Sequence, residues 1–476
     1  MLINKSIKEL SSLLRKKEIS SVDLVKETYS QIEKLDQKLH SFITVKEKNI
    51  VLKEAEEKDK NIKNNSSIVY GLPFAIKDAY CTKDLRTSAG SKILDDYFSP
   101  YNATVVNKLL KNGAIIIGKN NMDSWGHGAS NENTDYQIVC NPWNTKMISG
   151  GSSGGSAVAI TSRMVPFAIG EDTGGSIRNP SSICNISGLK VTYGRVSRYG
   201  AIAYASSLDT VGPMAKSVED LSYILETIAG HDDYDSTSSS QKVEKYYQYL
   251  GKSIKGKVIG LPKEFFGKGL DPEIKRTVLA ATKVFEKLGA KIQEVSLPHF
   301  VYGVSIYYLI ALSETSSNLG RYDSFRYGDK RELFSHESVR RILLGTYALS
   351  AGYADKLYKK AQKLRTILIQ EYEESLKTCD VLLGPVTPSL PSKIGEMIND
   401  PLKNLLEDLY TGTVNLVGAP ALAIPAGFTE KGLPVGLQII GKKFGEGELF
   451  QLGYLYQQET DWHKKLPPII SKNVKD

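Results

Sequence analysis

Two glycine- and serine-rich turns constrain the fold of this chain more than any other feature. Residues 150–157 read GGSSGGSA and residues 172–178 read DTGGSIR, and together they hold six glycines and four serines. Glycine permits backbone conformations and close approaches that other residues cannot adopt. Serine hydroxyls beside exposed backbone N–H groups are what an acyl-transfer site requires. The sequence therefore predicts one small site built from two turns.

Regular elements flank both turns in an α/β pattern, which is the predicted fold class. Residues 165–172 (VPFAIGED) predict a strand that leads into the second turn, and residues 156–163 (SAVAITSR) predict a helix directly after the first. Active sites usually lie on such connections. Further strands are expected at 72–78, 114–119, 257–262, 290–298, 380–385, 421–428 and 435–441, and further helices at about 277–288 and 448–459.

Composition and charge argue against several classes of protein. The chain has 476 residues, of which 41% are hydrophobic, and a net charge of +8 from 61 basic and 53 acidic residues. The lysines are spread through polar segments, which favours a lysine-rich composition over an RNA-binding surface, although an RNA-binding module stays an alternative. No signal peptide or membrane-length apolar run occurs, and the four cysteines form no CxxC pair. We therefore expect a cytoplasmic protein without a membrane span.

The chain divides into two parts by pattern. Residues 1–65 predict N-terminal helices, in which Ser6 with Glu9 and Ser20 with Asp23 have the spacing of capping boxes. Residues 66–476 predict a catalytic domain with a mainly helical insertion at about 303–376. We expect one continuous core.

A nucleophilic serine needs a base. The six histidines lie outside both turns, although a Ser-His-Asp triad assembled by the fold stays possible. Lys77 ends an apolar strand, GLPFAIKD, where burial favours the neutral amine that a base must be. Taken alone, Lys77 is better explained as a surface lysine at a strand end.

The segments GLPFAIKD, SGGSSGGSA and DTGGSIR, in this order, resemble the amidase signature family, and the similarity extends from about residue 20 to 467. The resemblance implies a central mixed β-sheet flanked by helices on both faces. It also implies a Ser-cisSer-Lys triad: Ser176 is the nucleophile, Ser152 follows a cis peptide bond from Gly151, and Lys77 is the base. In that scheme Lys77 takes a proton from Ser152, which takes one from Ser176.

The family pattern also implies an oxyanion hole, made by the backbone N–H groups of Thr173, Gly174, Gly175 and Ser176. The alternative for the glycine-rich loop is a phosphate cradle, but the loop lacks the G-K-[ST] ending of a P-loop.

Several other stretches are similar to one branch of the family, the glutamine-hydrolysing A subunits of tRNA-dependent amidotransferases; among them are residues 183–200, 205–213, 317–328 and 340–353. In that branch the ammonia passes to the B subunit, which uses ATP and Mg²⁺ to amidate Glu-tRNA(Gln) or Asp-tRNA(Asn), and the C subunit stabilises the A–B–C heterotrimer. The resemblance implies no cofactor in this chain.

A stand-alone amidase for another small amide and a non-catalytic structural protein are the alternatives.

Glutamine carries a carboxylate and an ammonium, so its pocket needs opposite charges. By resemblance, Arg341 holds the carboxylate, Asp408 pairs with the ammonium, and Tyr307 or Tyr308 is an aromatic pocket residue. The alternatives are surface charges on helices and core aromatics.

Residues 121–133 (NMDSWGHGASNEN) depart from the family pattern at Ser124, Trp125 and His127. The resemblance places this segment near the substrate pocket. For His127 we favour a packed loop histidine over a ligand or base.

Overall fold

A mixed sheet of eleven strands forms the centre of the molecule. The structure, a computed structural model, describes residues 1–471, and residues 472–476 of the expected catalytic domain lie outside the described part. In chain order the strands are β1 Phe42–Val45, β2 Pro73–Lys77, β3 Ile115–Asn120, β4 Cys140–Asn141, β5 Asn144–Ile148, β6 Phe167–Asp172, β7 Ser187–Lys190, β8 Thr210–Ala215, β9 Val258–Pro262, β10 Lys291–Val295, β11 Val381–Pro385, β12 Ala421–Phe428 and β13 Pro434–Ile440.

The strands of the main sheet lie in the order β1-β3-β2-β6-β8-β7-β12-β13-β11-β9-β10, and β4 and β5 form a separate pair. The sheet is mixed: β2 is parallel to both β3 and β6, whereas β8 is antiparallel to β6. Because β2 and β6 are parallel neighbours, their carboxyl ends meet at one edge of the sheet. Lys77 ends β2 and the second glycine-rich turn follows β6 at that edge.

Helices cover the sheet. They are α1 Ile7–Lys16, α2 Ser21–Leu39, α3 Lys48–Asn61, α4 Thr104–Lys111, α5 Gly154–Thr161, α6 Arg178–Ile183, α7 Val218–Ile228, α8 Pro272–Lys287, α9 Gly303–Leu319, α10 His336–Leu349, α11 Tyr358–Thr378, α12 Pro401–Leu406, α13 Gly412–Val417, α14 Glu446–Glu459 and α15 Pro468–Ser471. Short 3-10 helices occur at Leu2–Asn4, Ile62–Asn64, Lys92–Leu94, Ser124–Gly126, Tyr246–Tyr249, Lys263–Phe266, Pro298–Tyr302, Arg331–Leu333 and Trp462–Lys464.

Alternate residues of β2 enter two separate apolar cores. Phe74 and Ile76 belong to the larger core, whereas Ala75 belongs to the smaller one, which also holds residues of α2, α3 and α5. Successive side chains of a strand point to opposite faces, so the sheet is buried on both faces beneath helices. The predicted α/β fold, a central mixed sheet with helices on both faces, is confirmed.

Local signals placed most elements correctly. Both capping boxes of the N-terminal helices are present, with Ser6 and Ser20 accepting from the backbone N–H groups of Glu9 and Asp23. Helix α8 begins earlier than the expected residue 277, because Asp271 caps it and Pro272 occupies its first position. Five strands lie outside those that the sequence predicts: β1, β4, β5, β7 and β8.

Residues 1–65 contribute to the same structure as the rest of the chain. Leu10, Leu14 and Leu24 lie in the larger core, and β1 pairs with β3 at the edge of the main sheet. Helices α9, α10 and α11 lie within residues 303–378, and α9 packs against both α10 and α11.

Candidate active site

Lys77 is completely buried at the end of β2 and contacts the first glycine-rich turn. Its Nζ donates a hydrogen bond to Ser152 Oγ at 2.8 Å. The same Nζ lies 3.4 Å from Glu171 Oε2 on the neighbouring strand β6. The alternative of a surface lysine is therefore wrong, and the amine is held against a serine hydroxyl.

The two glycine-rich turns pack directly against each other. The peptide bond between Gly151 and Ser152 is cis, as expected. The next backbone N–H, that of Ser153, donates to the carbonyl oxygen of Ser176 at 3.1 Å. Ser176 is 7% exposed, so it is buried next to the first turn. The fold thus brings Lys77, Ser152 and Ser176 to one edge of the sheet.

Asp172 shapes the turn that carries Ser176. Its carboxylate accepts from the backbone N–H groups of Gly175 at 3.0 Å and Ile177 at 3.1 Å. Arg178 donates to the same carboxylate through Nε at 3.1 Å and Nη2 at 3.0 Å. Burial opposes ionisation of this carboxyl, but the Arg178 guanidinium outweighs it and lowers the pKa of Asp172 to about 2. The turn is therefore fixed by a permanently charged pair.

The backbone amides of this turn divide into two groups. The N–H of Gly175 already donates to Asp172. Within residues 1–471, those of Thr173, Gly174 and Ser176 have no hydrogen-bond partner. Three of the four amides expected in the oxyanion hole are thus free to donate to a substrate, and the Gly175 amide holds the turn in place.

Arg341 lies buried on α10, and two protein groups fix its guanidinium. Its Nε donates to Glu337 Oε1 and its Nη1 donates to the Tyr204 hydroxyl, both at 2.6 Å. Among the described residues, Nη2 has no protein partner, so one edge of the fork is available for an anion. The alternative of an exposed helix charge is wrong for Arg341, which is 2% exposed.

Asp408 and the two tyrosines lie next to Arg341. The Tyr308 hydroxyl donates to Asp408 Oδ2 at 2.6 Å. The Tyr308 ring lies 5.5 Å from the Arg341 guanidinium carbon and 4.8 Å from the Tyr307 ring. Tyr307 lies against the turn that carries Ser176, since a Cβ added to Gly174 would stand 2.3 Å from its hydroxyl. Both tyrosines therefore line the site: Tyr308 holds the aspartate, and Tyr307 packs on the turn.

Burial raises the pKa of the Asp408 carboxyl to about 7, although Tyr308 and Arg341 both oppose the shift. A cationic partner would therefore stabilise the ionised form of the Asp408 carboxyl. The arrangement can hold a small zwitterion, with its anionic end at Arg341 and its cationic end at Asp408.

His127 is a packed histidine and not a base. Its Nε2 lies 3.0 Å from Thr315 Oγ1, its Nδ1 lies 3.3 Å from Ser338 Oγ, and its ring contacts the Tyr204 ring at 4.8 Å. Burial, with the nearby Arg341 charge, lowers the pKa of His127 well below its usual range. The neutral ring braces Tyr204, which in turn orients Arg341.

Sequence reasoning missed three residues of this site: Glu171, Tyr204 and Glu337. No motif marked Tyr204, and Glu337 stands four residues before Arg341, a spacing common to many surface pairs. Glu171 directly precedes the second turn, so its place next to the DTGGS segment was the available signal.

Residues 1–471 show neither a metal site nor a membrane span. No group of three or more His, Cys, Asp or Glu side chains in this range is arranged to hold a metal ion. None of the helices in the same range combines the length and apolarity needed to cross a membrane.

Comparison with known proteins places this geometry in a family. The amidase family model matches residues 23–450. The A subunit of glutamyl-tRNA(Gln) amidotransferase from Geobacillus sp. (strain WCH70) is 47% identical over 485 residues, which cover 98% of this chain and 100% of the relative. Its counterpart from Coxiella burnetii (strain RSA 493 / Nine Mile phase I) is 47% identical over 98% of this chain and 99% of its own length.

Solved structures agree. The crystal structure of the A subunit of glutamyl-tRNA(Gln) amidotransferase from Thermotoga maritima matches with a TM-score of 0.84 and 36% identity over 98% of both chains. A peptide amidase from Stenotrophomonas maltophilia matches with a TM-score of 0.82 and 28% identity, also over 98% of both chains. The chain therefore belongs to the amidase family and, within it, to the group formed by the A subunits of glutamyl-tRNA(Gln) amidotransferases.

Proposed function

We propose that this chain is the glutamine-hydrolysing subunit of a tRNA-dependent amidotransferase, and that it supplies ammonia for the conversion of Glu-tRNA(Gln) to Gln-tRNA(Gln). The observation that carries the proposal is the Lys77–Ser152 contact of 2.8 Å, packed against the Ser176 turn, together with the buried Arg341 and the Tyr308-bound Asp408. A glutaminase needs both halves of this arrangement, the nucleophile and the zwitterion pocket.

In the proposed reaction, Ser176 Oγ attacks the side-chain amide carbon of glutamine. Its proton moves to Ser152 Oγ, and the Ser152 proton moves to the neutral amine of Lys77. The carbonyl oxygen becomes an oxyanion next to the free N–H groups of Thr173, Gly174 and Ser176. The relay then runs backwards to protonate the leaving ammonia, and water releases glutamate from Ser176 by the same steps.

Glutamine binds through its ends. The free edge of the Arg341 guanidinium suits the α-carboxylate, and Asp408, positioned by Tyr308, suits the α-ammonium. These contacts place the side-chain amide at the two turns. A stand-alone amidase for a simple amide would need neither charge.

The relatives are named as A subunits of an amidotransferase, which supports work with other subunits of such an enzyme. We propose an A–B–C heterotrimer in which the B subunit holds ATP, Mg²⁺ and the aminoacyl-tRNA. This chain then needs no cofactor of its own.

The test is ammonia release from glutamine by the chain purified with its partner subunits. Ser176→Ala should remove activity, because no other group forms the acyl-enzyme. Ser181→Ala is the matched control, since Ser181 is a buried serine whose hydroxyl has no partner among residues 1–471. Full activity of Ser176→Ala would refute the mechanism. Turnover of simple amides by the isolated chain, with no gain from partners, would favour the stand-alone amidase.

A further inference from the structure

The buried carboxylate of Glu171 contacts Lys77, the lysine of the proposed relay. Lys77 Nζ is 2.8 Å from Ser152 Oγ and 3.4 Å from Glu171 Oε2. The side chains of Lys77 and Glu171 are 1% and 2% exposed. The amine therefore contacts both the shuttle serine and an acid that the Ser-cisSer-Lys scheme does not use.

The backbone fixes Glu171 in this position. Its N–H donates to Ser153 Oγ at 3.3 Å, and Ser153 Oγ donates to its carbonyl oxygen at 3.1 Å. Strands β2 and β6 are in parallel register through Ile76 and Ile169, which brings the ends of both strands together. The loop that carries Ser152 therefore also positions the acid that contacts Lys77.

The surroundings of Glu171 leave Lys77 as its counter-ion. Its second oxygen, Oε1, is buried without a hydrogen-bond partner in the part of the chain that is described. The other charged or titratable groups that act on the pair are Asp172 and Arg198, with Asp209 and Tyr80 on the Glu171 side and Asp123 on the Lys77 side. Burial raises the pKa of the Glu171 carboxyl, and the Lys77 ammonium opposes this. Carboxylate and ammonium thus stabilise each other.

We propose that Glu171 is a positioning residue that holds Lys77 Nζ against Ser152 and stabilises the ammonium formed when Lys77 takes the relayed proton. This inference rests on the proposed amidase chemistry and adds a supporting residue outside the relay itself. Glu171 touches no reacting atom and acts only through Lys77.

Protons balance throughout this relay. As the bond from Ser176 Oγ to the substrate carbon forms, the Ser176 proton passes to Ser152 and the Ser152 proton passes to Lys77. Lys77 changes from amine to ammonium beside the Glu171 carboxylate, and the new positive charge faces a fixed negative one. When the leaving amine is protonated, the same proton returns through Ser152, and Glu171 gains and loses none.

Glu171→Gln tests the proposal, because it keeps the shape of the side chain and removes its charge. Without the carboxylate the ammonium is less stable, so the neutral amine becomes available at lower pH. The acid limb of the pH–rate profile should move down by about one pH unit or more. The amine is then also a weaker base, so the plateau rate should fall at least about threefold. A purely structural defect lowers the plateau without moving the limb.

Two further variants complete the design. Glu171→Asp keeps the charge on a shorter side chain, so the acid limb of its pH–rate profile should lie between those of the wild type and Glu171→Gln. If Glu171→Gln does not fold, an acid limb at lower pH in Glu171→Asp than in the wild type supports the proposal by itself. Glu446→Gln is the matched control. Glu446 is also buried with an unpartnered Oε2 among the described residues, and its Oε1 accepts from the Thr192 N–H at 2.8 Å, away from Lys77.

The readout is the rate at which a fluorophosphonate labels Ser176, measured against pH in the complex with partner subunits, alongside ammonia release from glutamine. The labelling rate measures how strongly Ser176 is activated, and it does not depend on which amide is the natural substrate. A shifted limb in labelling without glutamine hydrolysis would sustain the role of Glu171 and refute the proposed function. Three results would overturn the role of Glu171. The first is glutamine hydrolysis with an acid limb that is unmoved or raised in the Glu171 variants. The others are an equal shift of the limb in Glu446→Gln and no labelling of Ser176 at any pH.

Discussion

Single residues in this site act through the partners that fix them. The Arg341 guanidinium is anchored by Glu337 and Tyr204, and Tyr204 is braced by the neutral ring of His127. A planar fork fixed on one edge presents the other edge for two-point recognition of a carboxylate. Arg340, its neighbour, also pairs with Glu337 but lies one-third exposed.

Arg341→Lys should raise the KM for glutamine by about tenfold or more, because lysine cannot keep the Tyr204 contact and also bind a carboxylate with a fork. Steady-state ammonia release by the complex measures this. Arg340→Lys is the matched control and should change KM by less than about twofold. Equal effects of the two substitutions would mean that Arg341 acts only through Glu337.

Binding of glutamine should depend on the ionisation of Asp408. Because burial raises its pKa to about 7, the free pocket holds a neutral carboxyl below that pH, and a neutral carboxyl pairs poorly with an ammonium. We expect the Kd for glutamine, measured by calorimetry on the Ser176→Ala complex, to rise as pH falls from about 8 to about 6. With Asp408→Asn in addition, binding should be weak and independent of pH in this range. A Kd that stays constant over this range when Asp408 is intact contradicts the assignment.

At the scale of elements, the site depends on the tight approach of helix α5 to the sheet. The helix starts at Gly154, directly after the Ser152 turn, and every one of its residues is buried. A Cβ at Gly155 would stand 2.5 Å from the carbonyl oxygens of Asn121 and Ser41. These are backbone atoms, so only a shift of the helix could relieve the contact.

Gly155→Ala should therefore destabilise the protein by about 2 kcal/mol or more and lower activity, because the Ser152 turn moves with the helix. Gly267→Ala is the control: the nearest atom to its added Cβ is at an ordinary 3.6 Å, and its φ of -79° suits alanine. Thermal unfolding and ammonia release measure the two effects. If Gly155→Ala and Gly267→Ala had similar stability, helix α5 would be able to shift without loss of folding free energy.

At the scale of the whole molecule, the first 65 residues belong to the sheet that carries the site. They supply β1 at its edge, apolar residues in both cores, and the Ser41 carbonyl that packs on Gly155. Because residues 1–65 share the sheet and both cores with the rest of the chain, we expect them to unfold together with it as one cooperative unit.

Removal of residues 1–65 should leave the catalytic part insoluble or unfolded, because both cores and the β3 edge become exposed. Expression of residues 66–476 with the partner subunits, followed by circular dichroism and gel filtration, tests this. The full chain should unfold in one thermal transition. A soluble, folded 66–476 fragment would show that the N-terminal helices form a separate unit.

Sequence patterns predicted the elements that carry strong local signals. Apolar runs identified β2 and β6, and serine caps identified α1 and α2, because burial and capping leave marks within a few residues. Strands β7 and β8 were not predicted because their residues, SGLK and TVGPMA, are small and mixed in polarity. Each also pairs with strands that are distant from it in the sequence.

The sequence by itself supplied the residues on which the proposed chemistry rests: the glycine–serine turns and Lys77 are local motifs, and their resemblance to the amidase family implies a serine relay. Only the tertiary structure decided which groups surround that relay. It buried Glu171 against Lys77, engaged the Gly175 amide with Asp172, and placed Tyr204 and Tyr308 on the two ends of the pocket. Such contacts join residues on different strands and helices, and their strength comes from burial, which no local pattern records.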